Sequence, residues 1–168
     1  LKQLIKSGFL AKPYYEKVDT KIIGEIEYEC STADEEFFKR FNDLSEKLKN
    51  QIARSSVRNS MILKRYLDNK ERYGKTLIFA VNQMHAETLC EEFKKAGISC
   101  DYAVSSRPES QTIIKQYKDS KSQDKKLQVL INVQMMTEGS DVPDIKTVFL
   151  TRETNSDSLL MQMIGRGL

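Results

Sequence analysis

Four short apolar runs constrain this chain more than any other feature: Thr76–Val81, Ile98–Val104, Leu127–Val133 and Thr147–Thr151. The first, TLIFAV, has no polar residue after its opening threonine and is therefore hydrophobic on both faces. A run of that kind suits a strand buried between two helical layers. Helix patterns fill the intervals. Asn82 is a good N-cap and leads into a segment with Ala86, Leu89, Phe93 and Ala96 on one side, closed by Gly97. Pro108 marks the next helix start, with Ile113, Ile114 and Tyr117 along its inner face. Ser156 to Ile164 reads as a final helix. Short apolar strands alternating with helices predict an α/β fold, a doubly wound parallel sheet flanked by helices. In such sheets ligands bind beyond the carboxyl ends of the strands.

Upstream the periodicity changes. Residues 1–30 lack a clear period and read as a linker with one short strand in the alternating stretch Ile22–Tyr28. From Ala33 to about Asn69, Phe37, Phe38, Phe41, Leu44, Leu48 and Ile52 recur at helical steps, followed by Ile62, Leu63, Tyr66 and Leu67. Ser55-Ser56 is the expected break between two helices, an amphipathic pair covering the sheet. The chain thus divides into a linker over 1–32, a helical linker segment over 33–72 and a sheet domain over 73–168.

At 168 residues the chain suits one domain with an appendage. A net charge of +3 permits a polyanionic partner without arguing for one, because Lys and Arg are scattered. The three cysteines, Cys30, Cys90 and Cys100, show no CxxC spacing. They read as reduced thiols of a cytoplasmic protein, with neither a disulfide framework nor a zinc site. No apolar run approaches the roughly 18 residues of a membrane span, so no membrane partner is expected. The chain opens on Leu and stops within a motif, which suggests an excised fragment.

Two segments imitate nucleotide sites. Gly74-Lys75-Thr76 looks like the end of a P-loop, but Asn69 stands where GxxxxGK[ST] needs its first glycine. It also precedes a strand instead of following one. Asp34-Glu35-Glu36 resembles a magnesium-holding acidic pair, yet it lies at a helix start capped by Ser31 or Thr32. No GxGxxG follows any strand, which argues against a dinucleotide-binding domain. Two other segments fall where a parallel sheet binds ligands. Thr137-Glu138-Gly139-Ser140-Asp141 follows the third strand, and its backbone N–H groups and one carboxylate can serve a ligand. Gln162, Gly165 and Arg166 close the last helix, and an arginine fork suits a phosphate. Each also has a plain structural reading, as an ordinary turn and as a helix end. The lone His85 reads as a packing or surface residue, and Met135, Met136, Met161 and Met163 as core filler. Arg107 can touch a phosphate backbone or serve as a surface charge at a helix start.

The order TLIFAVNQMHAETL, VLINVQMMTEGSDVP, LLMQMIGRGL resembles the second (C-terminal) RecA-like, P-loop NTPase-like domain of superfamily 2 DEAD/DEAH-type helicases, notably restriction-enzyme translocase subunits and related bacterial DNA helicases. The resemblance covers roughly residues 55–168. It implies that Thr76–Asn82 is motif IV, whose end approaches nucleic acid, and that Thr137, Gly139 and Asp141 form motif V. Thr137 would then face nucleic acid, with Gly139 and Asp141 toward the nucleotide. Gln162, Gly165 and Arg166 match motif VI, which lines the far wall of an ATP cleft, with arginine on the transferring phosphoryl. The family pattern Q-x-x-G-R-x-x-R would place its second arginine at 169, beyond the chain. The implied cofactor is ATP, with Mg²⁺ held by a first RecA-like domain of the same polypeptide. The implied partners are that domain, nucleic acid (DNA foremost) and restriction or repair subunits. A non-catalytic α/β ligand- or protein-binding domain and an RNA helicase domain are the alternative readings.

Overall fold

Ser31 and Asp34 cap each other at the first helix start. The Asp34 N–H donates to Ser31 Oγ at 3.3 Å, and the Ser31 N–H donates to Asp34 Oδ2 at 3.0 Å. That reciprocal box begins α1 (Thr32–Phe41), so the acidic Asp34-Glu35-Glu36 run is a helix start, as its composition predicts. The computed structural model describes residues 14–18, 31–41, 43–119, 126–136 and 144–152. The expected strand over 22–28 and the expected helix over 156–164 lie outside them.

The helical stretch is more broken than its periodicity predicts. Besides the break at Ser55, a second one separates α1 from α2 (Glu46–Arg54). Ser45 caps α2 by accepting from the Leu48 N–H, and Asp43 Oδ1 accepts from the Leu44 N–H. Phe41, Leu44 and Leu48 keep helical spacing across this interruption, which hides it in the sequence. Ser55 then caps α3 (Ser56–Asp68) through the Arg58 N–H, and a single turn, α4 (Lys70–Tyr73), follows. Gly74 ends that turn at φ 54°, ψ −137°, a backbone region open essentially to glycine. Gly74-Lys75-Thr76 is therefore a turn entering a strand. Gly74→Ala should cost about 1–3 kcal/mol of stability from backbone strain. Urea unfolding measures it, and an unchanged midpoint would contradict the assignment.

Among the described residues four strands follow, β1 (Thr76–Phe79), β2 (Cys100–Ala103), β3 (Val129–Asn132) and β4 (Thr147–Leu150), each inside one of the four apolar runs. They form a parallel sheet in the order β2-β3-β1-β4. α5 (Gln83–Lys95) links β1 to β2, and α6 (Ser110–Lys118) links β2 toward β3. Alternate residues of β1 and β3 enter opposite faces, as the strand period of two requires. Ile78, Ala80 and Ile131 pack with Phe93, Leu89 and Tyr66 of α5 and α3, while Leu77, Phe79 and Leu130 pack with Ile113, Ile114 and Tyr117 of α6. Met136 joins the second cluster as buried filler. Leu44, Leu48 and Ile52 close over Val81 in a third cluster, so α2 covers the exit of β1. These are the helical layers that doubly apolar strands demand.

Candidate nucleotide and nucleic-acid edge

Because all four strands run parallel, their carboxyl ends share one edge. Ala80–Asn82 leave β1 there, Val104–Arg107 leave β2, Val133–Met136 leave β3, and Thr151–Arg152 leave β4. An open cleft of about 270 Å³ lies between the exits of β2 and β3. Gln83, Ser105, Ser106 and Gln134 line it with neutral donors and acceptors, over apolar Val104, Val133 and Met135. The Ser106 hydroxyl donates to Gln83 Oε1 at 2.6 Å. Gln134 takes φ 60°, an uncommon left-handed conformation for a side-chain-bearing residue. Such backbone is held only where the surroundings enforce it, and it concentrates at functional loops. Amide and hydroxyl groups of this kind can bind sugar–phosphate oxygens, but they include no general base.

Two sequence-predicted nucleic-acid residues fall within the described region, and both have intramolecular work. Asn82 Oδ1 accepts from the His85 N–H at 2.9 Å, capping α5, while its Nδ2 donates to Asn50 Oδ1 at 2.9 Å. Arg107 donates from Nη1 to Asp101 Oδ1 at 2.8 Å and to the Tyr102 carbonyl at 2.9 Å, and it lies over the Tyr102 ring at 4.4 Å. Partial burial opposes its charge, but the Asp101 carboxylate outweighs that and raises its pKa. The side chains of Asn82 and Arg107 bond different partners, although the neighbouring residues Gln83 and Ser106 meet across the cleft. Thr137, Gly139, Asp141, Gln162, Gly165 and Arg166 lie outside the described residues.

His85 belongs to the interior, fully buried in the first turn of α5. Nδ1 accepts from the Val81 N–H at 3.3 Å, so the ring proton sits on Nε2 and faces Asn59 Oδ1 at 3.1 Å. Asn59 Nδ2 in turn donates to the Ala53 carbonyl at 3.0 Å. Burial, aided by the nearby Arg58 charge, lowers the His85 pKa to about 3. A neutral, enclosed ring of this kind is a structural post between α3 and α5, the packing half of its sequence reading.

Sequence reasoning missed the residues at the exit of β4. Thr151 bonds the Phe79 carbonyl of β1 twice, from its N–H at 3.2 Å and its hydroxyl at 2.7 Å. Arg58 Nη2 donates to the Thr151 carbonyl at 2.7 Å, and Arg152 Nη2 to Asp43 Oδ1 at 3.3 Å.

The family described as helicase conserved C-terminal domain matches residues 58–168, spanning the sheet and both segments that follow β3 and β4. The chain belongs to that family. Among relatives of this helicase C-terminal domain, a protein named as the ATP-dependent helicase IRC3 of Saccharomyces cerevisiae is 41% identical over 114 residues, 66% of this chain and 16% of that protein. A protein named as the mitochondrial ATP-dependent helicase irc3 of Schizosaccharomyces pombe is 35% identical over 125 residues, 73% of this chain and 20% of that protein. This helicase domain therefore spans one fifth or less of the curated relatives it matches. Its fold also resembles a fragment described as an HsdR subunit of a type I restriction enzyme from Vibrio vulnificus YJ016, with TM-score 0.56 and 23% identity. That likeness covers 69% of this chain and 24% of the other and concerns the fold alone.

Proposed function

We propose that this chain is the second motor domain of an ATP-dependent DNA helicase or translocase. The observation that carries the reading is the family match over 58–168, which takes in both motif-bearing segments following parallel strands. In it Gln162 and Arg166 serve the transferring phosphoryl, Gly139, Asp141 and Gly165 approach the nucleotide, and Thr137 faces nucleic acid. The donor set at motif VI, an amide and a guanidinium, suits phosphate oxygens. The Asn82 amide is already occupied as a helix cap, so the strand contact after β1 passes to Gln83 and Ser106 in the adjacent cleft. Arg107, half-buried over Tyr102, presents a fixed charge beside them. ATP and Mg²⁺ would be held chiefly by a first RecA-like domain, and closure of the two domains would couple hydrolysis to movement. Restriction or repair subunits are candidate partners, as the motif resemblance implies. The buried free thiols of Cys90 and Cys100 fit a reducing compartment such as the cytoplasm.

Anisotropy titrations with single-stranded DNA and RNA test the reading. Weak binding by this chain should lose at least several-fold in affinity between about 50 and 200 mM salt, because phosphate contacts release counterions. Affinity that ignores salt would count for the rival, a non-catalytic α/β ligand- or protein-binding domain. Tighter binding to RNA than to DNA would move the proposal to an RNA helicase.

A further inference from the structure

The open cleft between the exits of β2 and β3 differs from a phosphate site in its charge. Among the described residues that line it there is no lysine, arginine or histidine. The charge behind its wall is negative. Gln83, the first residue of α5, donates from Nε2 to the Glu87 carboxylate at 2.8 Å, and the Tyr102 hydroxyl donates to the same oxygen at 3.3 Å. Arg107, the cation beside the cleft, is turned onto Asp101 at 2.8 Å and over the Tyr102 ring, so its charge is balanced where it sits. A phosphate gains most from cationic donors, and a neutral wall backed by a carboxylate offers it none. The same network orients the polar groups. An ionised carboxylate only accepts, so Nε2 of Gln83 must face Glu87, and Oε1 accepts from the Ser106 hydroxyl at 2.6 Å. The amide has a second N–H, and the Ser106 oxygen keeps acceptor capacity, so a donor and an acceptor stand side by side. Under them Val104, Val133 and Met135 make an apolar floor in a space of about 270 Å³.

We infer, resting on the helicase reading above, that this cleft holds one unpaired nucleobase of a single strand while the phosphates pass outside it. A flat neutral ring meets both halves of the lining, its face on the apolar floor and its edge on the Gln83 amide and the Ser106 hydroxyl. Unpaired bases are rings of this kind, and outside a duplex they can turn their hydrogen-bonding edges toward a protein. The contact therefore adds affinity that releases no counterions, on top of the salt-sensitive hold on the backbone.

The test titrates the chain and its Gln83→Ala and Ser106→Ala variants with two single-stranded probes over a range of salt. One is a short mixed-sequence DNA, and the other is a tetrahydrofuran strand of equal length, which keeps the phosphates and lacks every base. Gln83 and Ser106 are exposed, so neither substitution disturbs the core. Gln83→Ala should weaken binding of the base-bearing strand about three- to tenfold and that of the abasic strand by less than about twofold. The slope of log affinity against log salt should match the parent, because no phosphate contact is lost. Ser106→Ala, which removes the other half of the pair, should show the same split. Parental affinity of both variants for the base-bearing strand overturns the inference. Equal losses on the two strands, or a shallower salt slope in Gln83→Ala, overturn it in favour of a phosphate in the cleft. The parent separates the two levels. If it binds DNA in a salt-sensitive way while the variants match it, the base site alone fails. If the parent binds neither strand, or binds both with no dependence on salt, the helicase reading has failed and the base site with it.

Discussion

Arg166→Ala in the intact polypeptide is expected to lower kcat for ATP about a thousandfold while leaving nucleotide affinity within several-fold of the parent. The reasoning is electrostatic. Charge on the oxygens of a transferring phosphoryl is redistributed in the transition state, and a guanidinium placed there stabilises that arrangement more than the bound ground state. Its loss therefore falls on kcat and leaves KM nearly alone. Arg166→Lys should recover only part of the rate, because a compact ammonium cannot offer the planar fork. The structural alternative, a charged helix end, makes the opposite forecast: a small change in melting temperature with turnover intact. Single-turnover hydrolysis with saturating nucleic acid decides between them, and a rate within about threefold of the parent would remove Arg166 from the chemistry.

The fold was legible because doubly buried parallel strands leave uninterrupted apolar runs, and each of the four runs does contain a strand. The Asn82 cap, the helix start at Ser31 or Thr32 and the turn at Gly74 were legible too, since they act through neighbours close in sequence. What escaped was everything made by distant partners. The Arg58–Thr151 bond spans 93 positions and Arg152–Asp43 spans 109, and no local pattern records either. His85 has the same problem, for its partner Asn59 belongs to a helical stretch that reads by itself as a linker covering the sheet. The break between α1 and α2 was concealed by apolar spacing that continues across it. Gln134 carries none of the glycine or asparagine signals that announce left-handed backbone. Arg107 is an intermediate case. Asp101 and Tyr102, its carboxylate and ring partners, stand only a few residues upstream, but the strand-to-helix turn that folds Arg107 back onto them is visible only in three dimensions.

The buried histidine makes the stability of the fold depend on pH. His85 is the only histidine in the chain, and its pKa falls from an ordinary 6.5 to about 3, first through burial and then through the Arg58 charge. Below pH 6.5 the unfolded chain takes up a proton that the folded ring refuses, so stability is fully present above that value and declines as pH falls toward 3. Each pH unit in the window removes up to about 1.4 kcal/mol, so by pH 5 the loss should approach about 2 kcal/mol. Other groups act elsewhere. Asp34, held to about 2 by the Ser31 and Ser45 hydroxyls, loses its contribution only as pH drops below its ordinary 3.8. Glu92, whose pKa burial raises from 4.5, works in the opposite sense and gains stability as pH falls through its raised value, so the His85 contribution is read as the difference between the parent and His85→Gln from pH 5 to 7.5. Urea unfolding at the two ends of that interval should show the drop in the parent chain. His85→Gln, which keeps amide donors and acceptors but cannot titrate, should be destabilised at pH 7.5 and should lack the histidine's share of the drop toward pH 5. The same slope in His85→Gln as in the parent would show that the ring exchanges protons with water in the folded state, and the post between α3 and α5 would have to be assigned to other contacts.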